Sequence, residues 1–296
     1  MRIRTFAIGL GVASLVVAAC GEGASELPPV PTTIVDAAAQ SQETTTTTVA
    51  PSDEESGTED STTTTTVFSR LEPGVAEPPP FETVTIATPD GEELYGEFWA
   101  GGDTAVLYTH EYDAAQAGSG GQRPPQSSAT VSGNTWMAAN AGHTVLAIDF
   151  RGHGQSSGDY SVKGSQIDIK AAYDFLIEQG YTTVVSMAVG GSAPVVADLS
   201  AADPAVDFAG LGMLFTPLAE TGFDAGQALA GVDEPVWLVG IDIGSFGGVT
   251  KRLEPKVQNL YDRIVFPAVP SGLQFNDVYG DEWRGRQLAF IETVGG

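Results

Sequence analysis

From residue 81 onward, short apolar segments alternate with segments of helical periodicity. This alternation is typical of a mostly parallel sheet, because parallel strands are joined by crossovers that cover both faces with helices. An antiparallel hairpin is predicted ahead of them, since Phe81–Thr88 and Glu93–Trp99 flank a Pro-Asp-Gly-Glu turn. The following predicted strands are Ala105–His110, Thr144–Phe150, Thr183–Val189, Leu211–Thr216 and Pro235–Ile241. We therefore predict one α/β domain over residues 81–296.

The clearest predicted helix runs from Ser165 to Gln179. Ser165 and Asp168 form a capping-box pattern at its start, and Gly180 suits the position after its end. Apolar residues at helical spacing predict two further helices. They span Lys251–Ile264 and Asp281–Ile291.

A motif after the second of these parallel strands narrows the fold. The segment Asp149–Ser156 reads Asp-Phe-Arg-Gly-His-Gly-Gln-Ser and follows an apolar run. It resembles the α/β-hydrolase superfamily, in its single-domain esterase and dienelactone-hydrolase-like branch. The resemblance implies an α/β-hydrolase fold with its pocket at the carboxyl ends of the strands. Residues Pro217–Pro235 are too few for a cap domain, and the loop Tyr112–Asn134 is expected to overhang the site.

The resemblance also implies a serine nucleophile at a G-x-S-x-G elbow, a strained turn between a strand and a helix. The corresponding segment, Val184–Pro194, contains no such motif. Aligning its paired glycines with those of the family puts Ala188 at the nucleophile, whereas an ungapped count puts Gly190 there. A third register supplies a serine, Ser192, but puts a proline where the family has glycine.

The acid and the base of the implied triad are also altered. Asp242 lies one residue earlier than the family's acid, so it either orients another group or caps a turn. The family's histidine falls in a segment where Phe275 occupies the closest position, and phenylalanine cannot accept a proton. No alignment is needed for the stronger point, because the sequence contains no histidine after His153.

The remaining histidines are interpreted as structural. His110-Glu111 replaces the family's His-Gly after the strand that feeds the oxyanion hole, and His110 is expected to support the strand end. Glu111 would bring a carboxylate to a place where negative charge develops, which is the wrong sign for catalysis. His153 is expected to pack a turn, and His143 to lie in an exposed loop.

The N-terminus is typical of an exported protein. Arg2 and Arg4 precede an apolar stretch that ends in Val-Ala-Ala before Cys20. This looks like a bacterial lipobox, which implies removal of residues 1–19 and lipidation of Cys20. The acyl chains of the anchor are expected to include palmitate. A secretory signal with an unmodified cysteine is the alternative. Residues 20–80 are rich in Thr, Ser, Pro and acidic residues, which predicts a disordered tether at the extracytoplasmic face of the cell membrane.

Composition excludes several classes of partner and cofactor. The net charge of −25, from 38 acidic and 13 basic residues, disfavours nucleic acid and anionic lipid headgroups. One cysteine and three scattered histidines give no zinc-binding pattern, and no phosphate-binding loop is present. We therefore predict neither a metal nor a cofactor.

Three functions remain open from the sequence. The favoured hypothesis is a lipoprotein with a catalytically inactive hydrolase-fold domain that binds a small molecule or a cell-envelope partner. The second is an active serine hydrolase of small esters or lactones, with Ser192 as nucleophile, His110 as a relocated base, and Asp242 or another carboxylate as acid. The third is a structural protein of the envelope.

Overall fold

The computed structural model describes residues 79–111, 132–220, 222–243, 248–269 and 275–296. The strands are β1 (Glu82–Ala87), β2 (Glu93–Trp99), β3 (Thr104–Thr109), β4 (Thr144–Ile148), β5 (Thr183–Val189), β6 (Gly210–Leu214), β7 (Ala219–Glu220), β8 (Phe223–Asp224), β9 (Val236–Ile241) and β10 (Leu260–Phe266). The helices are α1 (Ser132–Asn140), α2 (Val162–Glu178), α3 (Ser192–Ala202), α4 (Ala225–Leu229), α5 (Val249–Leu253) and α6 (Phe275–Gly295), with a 3₁₀ turn at Glu254–Lys256. The predicted signal segment, Cys20 and nearly all of the tether lie outside the described residues and stay predictions.

One eight-stranded sheet organises the domain, in the order β1-β2-β4-β3-β5-β6-β9-β10. β1 pairs antiparallel with β2 and β2 antiparallel with β4, while the other neighbours are parallel. This confirms the predicted mostly parallel sheet with an N-terminal antiparallel hairpin. The carboxyl ends of β3, β4, β5, β6, β9 and β10 therefore share one edge, where ligands bind in open α/β sheets.

Helices bury both faces of the sheet. On one face, Leu107 and Leu146 of the sheet join Ile169 and Leu176 of α2 in a single apolar cluster. On the other face, the cluster is largely aromatic and includes residues of α6. Its large members are Trp99, Tyr108, Trp237, Phe266, Trp283 and Phe290. Strands buried on both faces explain the nearly continuous apolar runs in the sequence.

The segment between β6 and β9 is compact, as the sequence predicted. It contains the short β7–β8 hairpin and the five-residue helix α4. No cap domain is present in its described residues, 215–220 and 222–235. None of the helices in the described ranges is both long enough and apolar enough to cross a membrane.

Helix α2 begins earlier than predicted. Its N-cap is Ser161, whose side chain accepts a hydrogen bond from the Gly164 N–H at 3.0 Å. The predicted capping box on Ser165 was wrong, because Asp168 is bound to Arg151 instead. The predicted end is confirmed, since Gly180 has a φ of 97° directly after the cap residue Gln179.

The predicted helix over Lys251–Ile264 was wrong. Its first residues form α5 and the 3₁₀ turn, where Pro255 lies, and its last residues form the edge strand β10, parallel to β9. The apolar spacing suited a helix, but Leu260 and Tyr261 are exposed and Ile264 is half-buried, along an edge strand with one neighbour. The last helix was predicted at the right place but is longer, because α6 begins at Phe275.

Candidate functional site

A tight turn joins β5 to α3 at the carboxyl edge of the sheet. Gly190 lies at its tip with a φ of 59°, in the left-handed region that L side chains rarely adopt. Its N–H donates a 2.8 Å hydrogen bond to the Leu214 carbonyl of the adjacent strand. In hydrolases of this fold the nucleophile occupies such a strained strand-to-helix turn. Of the three registers, the one that puts Gly190 at the nucleophile position has the best geometry.

The two other candidates for that position lie elsewhere. Ala188 is fully buried within β5, opposite Thr109 and Met213 of the flanking strands. Ser192 is the first residue of α3, and it is 1% exposed. Its Oγ donates to the Val189 carbonyl at 2.9 Å and accepts from Thr109 Oγ1 at 3.0 Å. The Ser192 hydroxyl is therefore bonded within the interior.

Glu111 occupies the space above the turn. A Cβ built on Gly190 would lie 2.6 Å from the Cγ and Cδ of Glu111 and 2.8 Å from its Oε1. Carbon atoms in ordinary contact are about 3.5–4.0 Å apart, so a side chain at position 190 requires Glu111 to move. The Glu111 side chain thus occupies the space that a side chain at position 190 would need, close to the first turn of α3, whose dipole favours negative charge.

His110 is buried with both ring nitrogens engaged. Its Nε2 accepts a 3.1 Å hydrogen bond from the Phe150 N–H, so the proton is on Nδ1, which donates to the Glu111 carbonyl at 2.8 Å. Burial lowers the pKa of His110 to about 3. The imidazole is therefore neutral near pH 7, and its only lone pair is already bonded. This arrangement supports the structural interpretation of His110, because the imidazole has no free lone pair with which to accept a proton.

The depressed pKa of His110 predicts a pH dependence of stability. The folded value is about 3, below the unfolded value of about 6.5, so the folded state binds fewer protons between them. The associated stability is present above pH ~6.5 and is lost as the pH falls toward ~3, at up to about 1.4 kcal/mol per pH unit. Urea unfolding from pH 7 to 4 should show a shallower pH slope for His110→Gln than for the unmodified protein. Equal slopes for the two proteins would contradict the lowered pKa of His110.

Asp242 and Phe275 stand at the positions that the resemblance implied for the acid and the base. Asp242 is exposed after β9, and its N–H donates to the Phe266 carbonyl at 2.8 Å. Phe275, at the start of α6, lies among aromatic rings. Its centroid is 5.4 Å from that of Phe215 and 5.2 Å from that of Phe266. Phe275 is therefore part of an aromatic cluster, and its identity with the family's base position stays a prediction.

The other two histidines, His153 and His143, differ in burial. His153 is buried, with its Nδ1 3.2 Å from the Arg151 carbonyl and its ring edge-on to Tyr160. His143 precedes β4 and is half-buried rather than exposed, and burial lowers its pKa. Among the described residues, no serine hydroxyl is hydrogen-bonded to an imidazole. Nor do these residues contain a group of three His, Cys, Asp or Glu side chains placed to hold a metal ion.

Two features near the site were not predicted from the sequence. Phe215, which follows β6, has a φ of 55°, the only non-glycine residue with positive φ in the described ranges. Such strained backbone is concentrated at ligand-binding and catalytic sites. Arg151 of the Arg-Gly-His-Gly turn donates from its Nε and Nη2 to Asp168 at 2.9 and 2.8 Å, and from Nη1 to Asp90 at 2.7 Å. The guanidinium holds the pKa of Asp90 well below its usual range.

Comparisons with solved structures agree with this architecture. An esterase from Pyrococcus furiosus matches with a TM-score of 0.60 at 17% identity, over 73% of this chain and 92% of its own. An esterase from Exiguobacterium antarcticum matches at 0.57 and 9%, over 71% and 100%. A ferulic-acid-bound protein from Butyrivibrio proteoclasticus matches at 0.51 and 13%, over 70% and 99%. No protein-family model and no curated protein matches the sequence. The domain has the α/β-hydrolase fold.

Proposed function

We propose that this chain is an exported, membrane-anchored lipoprotein whose α/β-hydrolase-fold domain binds a small ligand without hydrolysing it. The observation that carries the proposal is the pairing of Gly190 with Glu111. Glycine at the strained turn offers no nucleophile, and the carboxylate above it brings negative charge to the place where an oxyanion would form. Open α/β sheets bind ligands at the carboxyl ends of their strands, and the proposed ligand binds at that edge.

The state of the histidines also supports a non-catalytic domain. A general base must reach the proton that it abstracts and must have a free lone pair. The lone pair of His110 is bonded to a main-chain N–H in the interior. Phe275 stands where the resemblance implied a histidine, and no histidine follows His153 in the sequence.

An active serine hydrolase is the second candidate, and the names of the similar structures favour it, since two of them are esterases. This candidate needs Ser192, His110 and Asp242 to act together. Ser192 is bonded to Thr109 and Val189, His110 to Phe150 and Glu111, and Asp242 is exposed at another strand end. The candidate therefore needs a rearrangement of buried groups.

Covalent labelling tests for a nucleophile directly. A fluorophosphonate probe reacts with an activated serine, and we expect no stoichiometric labelling of the folded protein. Gly190→Ser alone should also stay unlabelled, because the new hydroxyl has no imidazole beside it. Stoichiometric labelling of the unmodified protein that disappears in Ser192→Ala would establish the second candidate.

The lipid anchor gives a separate prediction. We expect intact-mass analysis of membrane-extracted protein to show loss of residues 1–19 and a diacylglyceryl adduct on Cys20. Cys20→Ala should release the protein from the membrane fraction, since acyl chains contribute about 0.8 kcal/mol per buried CH₂. Membrane-bound mature protein with an unmodified Cys20 would contradict the anchor.

A further inference from the structure

A cavity of about 310 Å³ lies between helix α3 and the β7–β8 hairpin. Its lining residues are Asp198, Ala219, Gly222, Phe223, Asp224 and Gln227. Ligand pockets have volumes of about 300–1,000 Å³, so this cavity has room for a ligand the size of a single small ring. It is separate from the Gly190 turn, because Asp198 lies well beyond Ser192 in α3, about 9 Å along the helix axis.

The carboxylates of the cavity are held in place by neighbouring elements. Asp198 Oδ2 accepts a 3.0 Å hydrogen bond from Gln166 Nε2 of α2. Asp224 is the N-cap of α4, where its Oδ1 accepts from the Gln227 N–H at 2.8 Å. Each carboxylate therefore has one oxygen bonded within the fold, and this bond fixes the orientation of the group. Such preorganisation lowers the entropic cost of binding a ligand.

Phe223 forms the apolar wall of the cavity. It is half-buried and packs against the apolar cluster that also contains residues of α2 and α3. Its position is set by the hairpin, where it pairs with Glu220 of β7. The part of Phe223 that is not covered by the cluster borders the cavity. An aromatic ring beside hydrogen-bonding groups suits a ligand with an apolar face and a polar edge.

We propose that this cavity binds a pyranose sugar, with its hydroxyl groups on Asp198, Asp224 and Gln227 and one C–H face on Phe223. The site goes beyond the proposed function, since it lies away from the Gly190 turn. Carboxylate oxygens only accept hydrogen bonds, whereas the Gln227 amide both donates and accepts. Sugar hydroxyls match both kinds of partner, and their bonds to carboxylates are charge-assisted.

Other ligand classes fit the cavity less well. An anion would be repelled by the two carboxylates. Within the part of the chain that the structure describes, no group of three His, Cys, Asp or Glu side chains is placed to hold a metal ion. For an organic cation, Lys256 already brings positive charge near Asp224. A Cβ built on Gly226 would be 3.4 Å from Asp224 Oδ1 and 3.7 Å from Lys256 Cγ. A neutral ligand that donates several hydrogen bonds is therefore favoured.

Saturation-transfer NMR tests the inference on the full-length protein, in micelles of a detergent without a sugar headgroup. The probes are the methyl pyranosides of glucose, galactose and mannose. We expect saturable binding of at least one of them, with saturation transferred mainly to the C–H protons of the ring face that contacts Phe223. Asp224→Asn should weaken binding about tenfold, because it removes the charge-assisted bond, while asparagine still caps α4. Phe223→Leu should weaken binding severalfold and remove the preference for one ring face.

Asp207→Asn is the matched control, because it removes the same charge from an exposed position that does not line the cavity. It should change binding less than twofold. Binding that is unchanged in Asp224→Asn and Phe223→Leu would overturn the site. Saturable binding of glucosamine with none of the methyl pyranosides would overturn the sugar class in favour of an amine, and binding of no probe would overturn the inference. Ester turnover by the protein would instead overturn the non-catalytic function and leave the sugar result standing.

Discussion

Replacing Arg151 by methionine is expected to lower the free energy of unfolding by about 3–5 kcal/mol. Asp168 is fully buried in α2 and accepts hydrogen bonds from the Arg151 guanidinium and its main-chain N–H. Without the guanidinium, the Asp168 carboxylate remains in the interior with no compensating charge. The same cation ties the β1–β2 turn to the Arg-Gly-His-Gly turn through Asp90. Urea unfolding followed by circular dichroism measures the loss.

Arg286→Met is the matched control for that loss. Arg286 forms ion pairs with Glu282 at 2.9 Å and Asp262 at 3.5 Å, but its side chain is 43% exposed. Exposed pairs contribute about 0–1 kcal/mol, so this variant should unfold almost like the parent. Adding Asp168→Asn to Arg151→Met should recover part of the stability, because it removes the unpaired charge. Similar small effects in both arginine variants would contradict a buried, energetically important pair.

Gly190→Ala is expected to lower the free energy of unfolding by about 2–3 kcal/mol. Left-handed backbone costs an L residue about 1–2 kcal/mol. The new methyl group also displaces the Glu111 side chain, which can swing toward solvent, so we assign this contact about 1 kcal/mol. In Glu111→Gly the contact is gone, and the additional cost of Gly190→Ala should fall to the backbone part. Unfolding free energies of the four proteins in the double-mutant cycle measure the coupling.

Gly180→Ala separates backbone strain from contact. Gly180 also has positive φ, at 97°, but a Cβ there would have no atom within 4 Å. Its cost should therefore be about 1–2 kcal/mol and should not change when Glu111 is replaced. If Gly190→Ala and Gly180→Ala cost the same, and the effects of Gly190→Ala and Glu111→Gly simply add, Glu111 does not occupy the space above the turn.

Most of the fold could be predicted from the sequence because its determinants are local. Buried parallel strands are recognisable as apolar runs in the sequence. One of them, Thr183–Val189, has the predicted bounds. The Arg-Gly-His-Gly motif supplied the family resemblance and hence the topology. β10 was missed because its apolar spacing also fits a helix, and only pairing with β9 decides the matter.

From the sequence, the candidate site could be predicted only through the lack of expected catalytic residues. That no histidine follows His153 can be read from the sequence, and Gly190 was one of three alternatives for the turn. The position of the Glu111 side chain above Gly190 depends on how β3 and β5 lie side by side, which no local pattern encodes. The bonds of His110 to Phe150 and Glu111 likewise require the packed interior.

Hydrolysis of an activated aryl ester by the purified protein tests the central claim most directly. With glycine at the elbow and the His110 lone pair bonded in the interior, we expect turnover no faster than with heat-denatured protein. Ser192→Ala should leave this background unchanged. Removing one triad member from a working hydrolase still leaves a rate about 10³–10⁴ above water, so the assay has ample range. Saturable turnover that is lost in folded Ser192→Ala protein would contradict a non-catalytic site.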